Sequence, residues 1–341
     1  MNQSILEGDM KKEEIMVSVT VCTYNQEQWI RQTLDSIIAQ EAQHTYEIII
    51  GEDHGTDGTR AICQEYVERA EKGEWKIKNP SLQCIRLMPS EENLGIVANS
   101  INCILNSRGK YIMGCGGDDY WHNPHKLQLQ VDFMEAHPDC VLCHTDYDIL
   151  YNKTGQIQHQ VNESNGIQPP QGRIQKVILQ GNSYISAVTT CYRAAALKEY
   201  VPNEEFAKRR FPREDWPTHL ILAAHGDFLY IPISTATYRV GQESITRTSN
   251  YEKVIIRAQQ DMEMTKYLYT LFPEWGSFED EPYFAAVGYH NAMHAAYRNN
   301  DYSAAHEFAK KAFPNKWATR FARTKLTFKI FRWIQIKRKR L

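Results

Sequence analysis

Several common sequence features are absent from this chain of 341 residues. No apolar run approaches the ~18 residues of a membrane-spanning helix, which excludes such a helix. Neither a Gly-x-Gly-x-x-Gly motif nor a P-loop occurs, so no motif favours dinucleotide or ATP binding. Residues 1–16 lack an apolar core, and we therefore expect no secretory signal there. In contrast, 19 Tyr, 12 Phe and 7 Trp are too many for a disordered chain, and the length allows one large or two modest globular domains.

Acidic residues are missing from residues 315–341, which contain ten Lys or Arg. The whole chain carries a net charge of −2, so the other 314 residues carry −12. An acidic body argues against nucleic acid as a general partner. The tail mixes aromatic residues with its cations, a pattern that predicts contact with an anionic membrane surface. Packing of the tail on the acidic body and a local RNA contact are the alternatives.

Eight cysteines occur, and without an export signal they are expected to be reduced and mostly buried. The sequence Cys140-Val-Leu-Cys143-His144 matches c-type haem attachment and half of a zinc site. Haem attachment requires export, and zinc requires a second ligand pair at similar spacing, which the chain lacks. The apolar residues between these cysteines favour a buried strand instead.

Apolar periodicity predicts alternating strands and helices in the first part of the chain. Runs at 16–24, 46–50, 83–88 and 111–113 predict strands, with helical spacing between them. This alternation predicts βαβ units and a doubly wound, mostly parallel sheet with helices on both faces. Ligands of such sheets bind beyond the carboxyl ends of the strands. Polar clusters follow three of the predicted strands, at Thr23-Tyr24-Asn25, Glu52-Asp53 and Asp118-Asp119.

The later part of the chain is less regular. Residues 139–145 and 228–238 predict strands, and Pro232 places the second of them at an edge or a bend. Residues 151–171 are polar and predict a loop. From about residue 251 the pattern is helical.

Four motifs in order resemble the family 2 glycosyltransferases of the GT-A fold, over about residues 16–246. Two of them include the strand ends already described, Val19-Thr-Val-Cys-Thr-Tyr-Asn25 and Ile48-Ile-Ile-Gly-Glu52-Asp53 with the turn that follows. The third runs from Asn93-Leu-Gly95 to Gly117-Asp118-Asp119-Tyr-Trp121, and the fourth is Arg213-Glu214-Asp215-Trp216 with Tyr238-Arg239 downstream. The resemblance implies a GT-A domain at 16–250, after a flexible extension at 1–15. A helical segment at 251–314 and the basic amphipathic tail at 315–341 would follow it.

The resemblance implies a nucleotide-sugar donor, expected to be UDP-linked. Asp53 would accept a hydrogen bond from the uracil N–H, Tyr24 would stack on the base, and Thr23 or Asn25 would hold the ribose. Glu52 stands where the family commonly has Asp. Capping of the next helix or turn is the alternative role for Asp53. The complete set of predicted nucleotide contacts is Thr23, Tyr24, Asn25, Glu52, Asp53, Asn93, Asp118 and Arg239.

Asp118 and Asp119 are the predicted ligands of Mn²⁺ or Mg²⁺, cations that prefer carboxylate oxygens. Such a cation can stabilise the charge that develops on a leaving diphosphate. The family often has a further acidic residue where this chain has Gly116, which leaves open which of the two aspartates binds the metal. An Asp-rich turn that caps the following helix is the alternative.

Asp215 is the predicted general base, with Glu214 as the second candidate. An inverting transferase needs one carboxylate to take the proton of the acceptor hydroxyl. The alternative is that both residues only begin a helix, where acidic side chains suit the macrodipole. Arg239 is expected to reach the diphosphate. Because Gly241 stands where relatives often have His, no metal-binding His is expected there.

These expectations describe an inverting, metal-dependent hexosyltransferase acting by a single displacement on a glycan or lipid-linked glycan acceptor. Such an enzyme would assemble bacterial surface polysaccharide in the cytoplasm, at the inner face of the plasma membrane. The alternatives are a catalytically silent, nucleotide-binding module of the same fold and a nucleotidyltransferase.

Overall fold

The computed structural model describes residues 14–179, 184–209, 211–241, 250–275 and 281–312, with side chains from 285 in the last range. The chain forms two compact units, one up to Gly241 and one from Gln242. Residues 1–13 and the predicted tail at 315–341 lie outside the described residues. The domain limits expected at residues 15, 250 and 314 stay predictions.

The first unit is an α/β structure with nine strands among its described residues. Its strands are β1 (Val17–Thr23), β2 (Tyr46–Glu52), β3 (Leu82–Leu87), β4 (Tyr111–Gly116), β5 (Tyr120–Trp121), β6 (Cys140–Tyr151), β7 (Gln156–Gln158), β8 (Cys191–Arg193) and β9 (Asp227–Val240). Its helices are α1 (Ile30–Ile38), α2 (Thr59–Glu71), α3 (Glu74–Lys78), α4 (Ile96–Leu105), α5 (Lys126–Ala136), α6 (Val161–Ser164), α7 (Gln175–Leu179), α8 (Ala194–Tyr200), α9 (Asn203–Arg209) and α10 (Asp215–His225), with a 3₁₀ turn at Ala187–Thr189.

The strands form one sheet in the order β3-β2-β1-β4-β8-β6-β9-β5, and β7 pairs with β6. Strands β3, β2, β1 and β4 are parallel, as are β6 and β9, whereas β8 and β5 run antiparallel to their neighbours. β5 follows β4 after three residues yet lies at the far edge of the sheet, so the sheet must curl to bring this edge back towards β4. The predicted fold class, a mostly parallel α/β sheet surrounded by helices, is confirmed.

The core of the first unit is built on strands that are buried on both faces. All seven residues of β2 are buried, and β1 is buried at six of seven positions, which is typical of parallel strands covered on both faces. Leu34 and Ile37 of α1 pack in the same core as Leu127 and Val131 of α5. The carboxyl ends of β1, β2 and β4 therefore extend from a well-packed core.

The second half of the sheet differs from the sequence expectation in extent. β6 is longer than the predicted strand at 139–145, and the predicted loop at 151–171 contains β7 and α6. The pairing of β9 with β6 skips from Ile231 to Ser234, so Pro232 lies at a bend in an interior strand. A proline lacks the N–H that ladder pairing requires, which explains the irregularity. All eight cysteines are free thiols, and Cys140 and Cys143 are buried in β6, as the strand interpretation predicts.

The second unit is helical over its described residues, with α11 (Tyr251–Leu271), α12 (Glu281–Arg298) and α13 (Tyr302–Lys311), and a 3₁₀ turn at Pro273–Trp275. A Cβ at Gly288 of α12 would lie 2.9 Å from the Cβ of Ala258, so the glycine permits a close approach to α11. Met293 and Ala296 pack against Ala305 and Ala309. None of the described helices combines the length and the apolarity that crossing a bilayer requires.

Candidate functional site

The predicted polar clusters lie side by side at one edge of the sheet. Thr23 at the end of β1 pairs with Glu52 at the end of β2, and Cys22 pairs with Gly116 at the end of β4. The backbone N–H of Asp53 donates to the carbonyl of Thr23 at 3.0 Å. Parallel pairing thus brings three segments that are distant in sequence to one edge.

The loop after β1 contains one aromatic side chain that is exposed to solvent. Asn25 has a φ of +52°, and its Oδ1 accepts a hydrogen bond from the N–H of Thr56 at 2.7 Å. The N–H of Gln26 donates to Thr59 Oγ1 at 2.8 Å. These bonds tie the loop after β1 to the loop after β2 and to the start of α2. Tyr24 is 48% exposed beside them, where a planar ligand can stack on its ring.

Glu52 is fully buried and supports the loop after β2. Its Oε1 accepts from the N–H of Gly55 at 2.6 Å, and its Oε2 accepts from Arg60 at 3.2 Å. The carboxylate is therefore engaged by the protein on both oxygens. This geometry assigns Glu52 a supporting position behind the loop.

Asp53 organises the segment that includes Asn93. Its carboxylate accepts from the N–H of Leu94 at 2.7 Å and from that of Gly95 at 3.0 Å, while Asn93 Nδ2 donates to the Asp53 carbonyl at 2.8 Å. Burial raises the pKa of Asp53, and the two amide donors oppose this rise. Gly95 has a φ of +83°, a conformation that favours glycine. Each carboxylate oxygen has two lone pairs, so each keeps capacity for a further donor.

The turn that joins β4 to β5, residues 116–119, is packed against the end of β1. The N–H of Gly117 donates to the Cys22 carbonyl at 2.9 Å, and the N–H of Asp119 donates to the Gly116 carbonyl at 3.0 Å. A Cβ at Gly117 would lie 2.5 Å from the Cβ of Thr23, so only glycine fits. We call this segment the Asp118–Asp119 turn.

The two carboxylates of this turn converge above Gly116. A Cβ at Gly116 would lie 3.1 Å from Asp118 Oδ1 and 3.3 Å from Asp119 Oδ2. Asp119 is buried, and burial together with the charge of Asp118 raises its pKa well above the ordinary value. Within the described ranges no cluster of three or more His, Cys, Asp or Glu could hold a metal ion. These oxygens nevertheless suit a hard cation whose other ligands come from phosphate and water.

Arg239 holds the Asp118–Asp119 turn from behind. Its backbone N–H donates to Asp119 Oδ1 at 2.9 Å, and its Nε donates to the Asp118 carbonyl at 2.7 Å. The two terminal nitrogens donate to Asn152 Oδ1 at 3.1 Å and to Gln32 Oε1 at 2.6 Å. The side chain is buried with every guanidinium nitrogen bonded to protein, so it braces the turn. Its expected contact with the diphosphate stays a prediction.

Glu214 and Asp215 lie at the beginning of α10. Asp215 Oδ1 accepts from the N–H of Trp216 at 2.7 Å. Burial, followed by the neighbouring charge of Asp215, raises the pKa of Glu214 to about 7, while a hydrogen bond with Ser100 of α4 opposes the rise. The pKa of the Cys22 thiol is raised mainly by Cys103 and burial, with a smaller contribution from the Glu214 carboxylate. The Glu214 carboxylate therefore lies within electrostatic reach of Cys22, near the end of β1.

A second pair of residues, which the sequence analysis did not identify, attaches α10 to the sheet. His219 lies one turn after Asp215 and is buried, and its Nε2 is 2.8 Å from the hydroxyl of Tyr192. Tyr192 belongs to β8 and pairs with Ile112 of β4, the strand that leads into the Asp118–Asp119 turn. Burial lowers the pKa of His219 to about 4, whereas the Asp215 carboxylate acts in the opposite direction. No local sequence pattern marks this contact.

Comparisons with known proteins agree with this architecture. The model of the family described as "Glycosyl transferase family 2" matches residues 18–201. An uncharacterized protein of Mycobacterium tuberculosis is 28% identical over 225 residues, which cover 65% of this chain and 58% of that protein. The putative teichuronic acid biosynthesis glycosyltransferase TuaG of Bacillus subtilis is 30% identical over 135 residues, 40% of this chain and 48% of the relative. The chain thus spans only part of the curated relatives it matches.

One solved structure of similar fold is the mannosyltransferase PcManGT from Pyrobaculum calidifontis, in complex with GDP-Man and Mn²⁺. The TM-score is 0.50 at 15% sequence identity, over 92% of this chain and 82% of that one. At this identity the likeness supports the fold.

Proposed function

We propose, on the premise that this chain belongs to glycosyl transferase family 2, that it transfers a sugar from a UDP-linked donor to a hydroxyl group of a glycan. The observation that carries this proposal is the geometry of one sheet edge. The ends of β1 and β2 and the Asp118–Asp119 turn lie side by side there, and Glu214 at the start of α10 acts electrostatically on Cys22 near the end of β1. This edge supplies a nucleotide surface, a pair of cation ligands and a candidate base together.

The proposed nucleotide site lies at the ends of β1 and β2. Tyr24 is open for stacking on the base, and the Asp53 carboxylate, shaped by Leu94 and Gly95, keeps lone pairs for the uracil N–H. Thr23 and Asn25 flank the ribose position. Glu52 and Asn93 act by holding these loops, since both are bonded within the protein.

Asp118 is the proposed direct ligand of Mn²⁺ or Mg²⁺. Asp119 is buried and bonded to the N–H of Arg239, so it orients the turn and presents its second oxygen towards the same space. When bound, the cation stabilises the charge of the leaving diphosphate. Arg239 contributes by fixing both aspartates, because it bonds the carbonyl of one and the carboxylate of the other.

Asp215 is the proposed general base of an inverting single displacement. Its carboxylate takes the proton of the acceptor hydroxyl while that oxygen attacks the anomeric carbon. Burial and the neighbouring charge of Asp215 raise the pKa of Glu214 to about 7, and Glu214 is the second candidate for the base. The contact between Tyr192 and His219 keeps this pair at a constant place relative to β4.

The proposed acceptor is a glycan or lipid-linked glycan of a bacterial surface polysaccharide. Its support is the match to a relative whose printed name refers to teichuronic acid biosynthesis. A cytoplasmic site at the inner membrane face, with the tail on anionic lipid, is part of the same proposal. It rests on the ten cations at 315–341.

Donor hydrolysis and thermal-shift measurements test the proposal. The purified chain is screened against a panel of nucleotide sugars with and without Mn²⁺. We expect Mn²⁺-dependent stabilisation by UDP, lost in Asp118→Asn, and slow hydrolysis of one UDP-sugar, lost in Asp215→Asn. Asp132→Asn, an exposed carboxylate of α5 outside the site, is the matched control and should behave as the parent. Lack of response to every nucleotide would refute the assignment.

A silent, nucleotide-binding module is the second candidate, because Gly116 stands at a position where the family often has an acid. UDP binding without turnover of any donor, even with a glycan acceptor present, would favour it.

A further inference from the structure

Strands β6 and β9 extend beyond the end of β4. Cys143 of β6 is level with Met113 of β4, because both pair with Cys191. β4 ends three residues later at Gly116, whereas β6 continues to Tyr151. The last five residues of β6 and their partners in β9 therefore form a wall beyond the Asp118–Asp119 turn.

Three tyrosines share one face of this wall. In the parallel pairing, Tyr147 lies beside Ala236, Ile149 beside Tyr238, and Tyr151 beside Val240. Since side chains alternate along a strand, Tyr147, Tyr151 and Tyr238 point to the same side. We call these three residues the tyrosine face.

Contacts across the strands confirm this assignment of sides. The hydroxyl of Tyr151 donates to Gln158 of β7 at 3.2 Å, so that glutamine lies on the tyrosine face. Thr237 and Arg239, which flank Tyr238 in sequence, belong to the opposite side. Arg239 braces the Asp118–Asp119 turn from there. Tyr238 is thus fixed next to the turn by its own neighbours.

The tyrosine face is accessible and compact. Tyr151 is 40% exposed and Tyr238 is 36% exposed. Burial raises the pKa of Tyr147, and Asp146, Tyr238 and Tyr151 add to this rise, so the three phenols lie near one another. Tyrosine offers an apolar ring with a polar tip, and a glutamine amide adds a donor and an acceptor. This combination suits a pyranose, which has apolar C–H faces and hydroxyl edges.

The position of the tyrosine face in the sheet favours binding of the acceptor over binding of the donor. In the sheet order, the nucleotide strands β1 and β2 lie on one side of β4, and β6 and β9 lie on the other. A donor held at Tyr24 and Asp53 extends to the Asp118–Asp119 turn from the first side. A saccharide that meets the turn from the second side passes over the tyrosine face.

We propose that Tyr147, Tyr151 and Tyr238 bind a pyranose unit of the acceptor glycan, beside the sugar that receives the transfer. This inference rests on the proposed function and adds that the acceptor is a saccharide chain longer than one unit. Tyr151 and Tyr238 supply ring faces, and Gln158 supplies hydrogen bonds at the edge.

An array of immobilised bacterial polysaccharide fragments tests the inference, with the full chain applied in the presence of UDP and Mn²⁺. We expect Tyr238→Ala and Tyr151→Ala each to weaken binding of the retained fragments about tenfold, which corresponds to about 1.4 kcal/mol. Tyr238→Phe should bind as the parent, because the ring is kept. Tyr200→Ala is the matched control, since Tyr200 is a comparably exposed tyrosine that stacks on His225 away from this wall.

Donor hydrolysis by the same variants separates the two proposals. Unchanged hydrolysis with weakened glycan binding supports the tyrosine face. Equal glycan binding by the parent and both alanine variants would overturn it, as would a parent chain that hydrolyses donor but retains no fragment longer than one sugar. A parent protein that hydrolyses none of the nucleotide sugars would instead contradict the proposed function.

Discussion

Arg239→Lys tests how the Asp118–Asp119 turn is held. Arg239 is buried and its guanidinium donates to three acceptors in three directions, the Asp118 carbonyl, Asn152 and Gln32. It also lies over the rings of Trp29 and Tyr120, 5.9 and 5.6 Å from their centres. A lysine keeps the charge but presents a single point donor, which cannot reproduce the planar fork. We expect the variant to keep one of the three bonds.

The magnitude follows from the bonds that are lost. A hydrogen bond to a charged group contributes about 1.5–3 kcal/mol. Loss of two such bonds, partly offset by water, predicts a destabilisation of about 3 kcal/mol. With a urea dependence of about 3 kcal/mol per molar for a unit of this size, the unfolding midpoint should fall by about 1 M.

Urea unfolding followed by tryptophan fluorescence measures this shift, and thermal shift with UDP and Mn²⁺ measures the state of the site. The stabilisation by UDP and Mn²⁺ should decrease, because the Asp118 carbonyl loses its Nε donor, although the backbone N–H of residue 239 still donates to Asp119. Arg173→Lys is the matched control, since Arg173 makes an exposed ion pair with Asp227. An Arg239→Lys protein with the parent's midpoint and the parent's response to UDP would refute this account of the turn.

Two further predictions concern the same edge. Glu214 has a pKa of about 7 in the folded protein against an ordinary value of 4.5, so its stabilising protonation is complete below about pH 4.5 and is lost as pH rises through 7. The free energy of unfolding of Glu214→Gln, relative to that of the parent, should therefore be roughly 2 kcal/mol higher at pH 8 than at pH 5. Equal pH dependence of the two proteins in unfolding measurements would contradict this. Gly117→Ala should lower the free energy of unfolding by about 1–3 kcal/mol, because the added Cβ would lie 2.5 Å from the Cβ of Thr23. Gly114→Ala, whose Cβ would meet nothing closer than 3.9 Å, is its control in thermal unfolding, and equal losses would argue against the clash.

The first half of the sheet could be predicted because its signals are local. β1 alternates valine with small polar residues, β2 contains three successive isoleucines at 48–50, and α1 has apolar residues at helical spacing. Right-handed crossovers then leave few ways to arrange such units. The polar clusters after Thr23, Glu52 and Gly116 could be placed at one edge for the same reason.

The second half could not be predicted to the same extent because it depends on pairing between distant segments. β6 extends past 145 since β9 and β7 pair with its far end. The bend at Pro232 fits only because the register with β6 shifts there. A polar stretch such as 151–171 has no periodicity of its own that would reveal β7 or α6.

The sequence by itself determined the fold class, the family resemblance and the residue types at the strand ends, because periodicity and short motifs are properties of neighbouring residues. Only the tertiary structure decided what those residues touch. Arg239 bonds Asp118 across 121 positions, and Asn93 bonds Asp53 across 40. Such contacts depend on how the sheet curls and how loops pack, and hydrogen-bond geometry depends on distances that no local pattern specifies. The bracing of the turn, the attachment of α10 through Tyr192 and the tyrosine face all belong to this second kind of information.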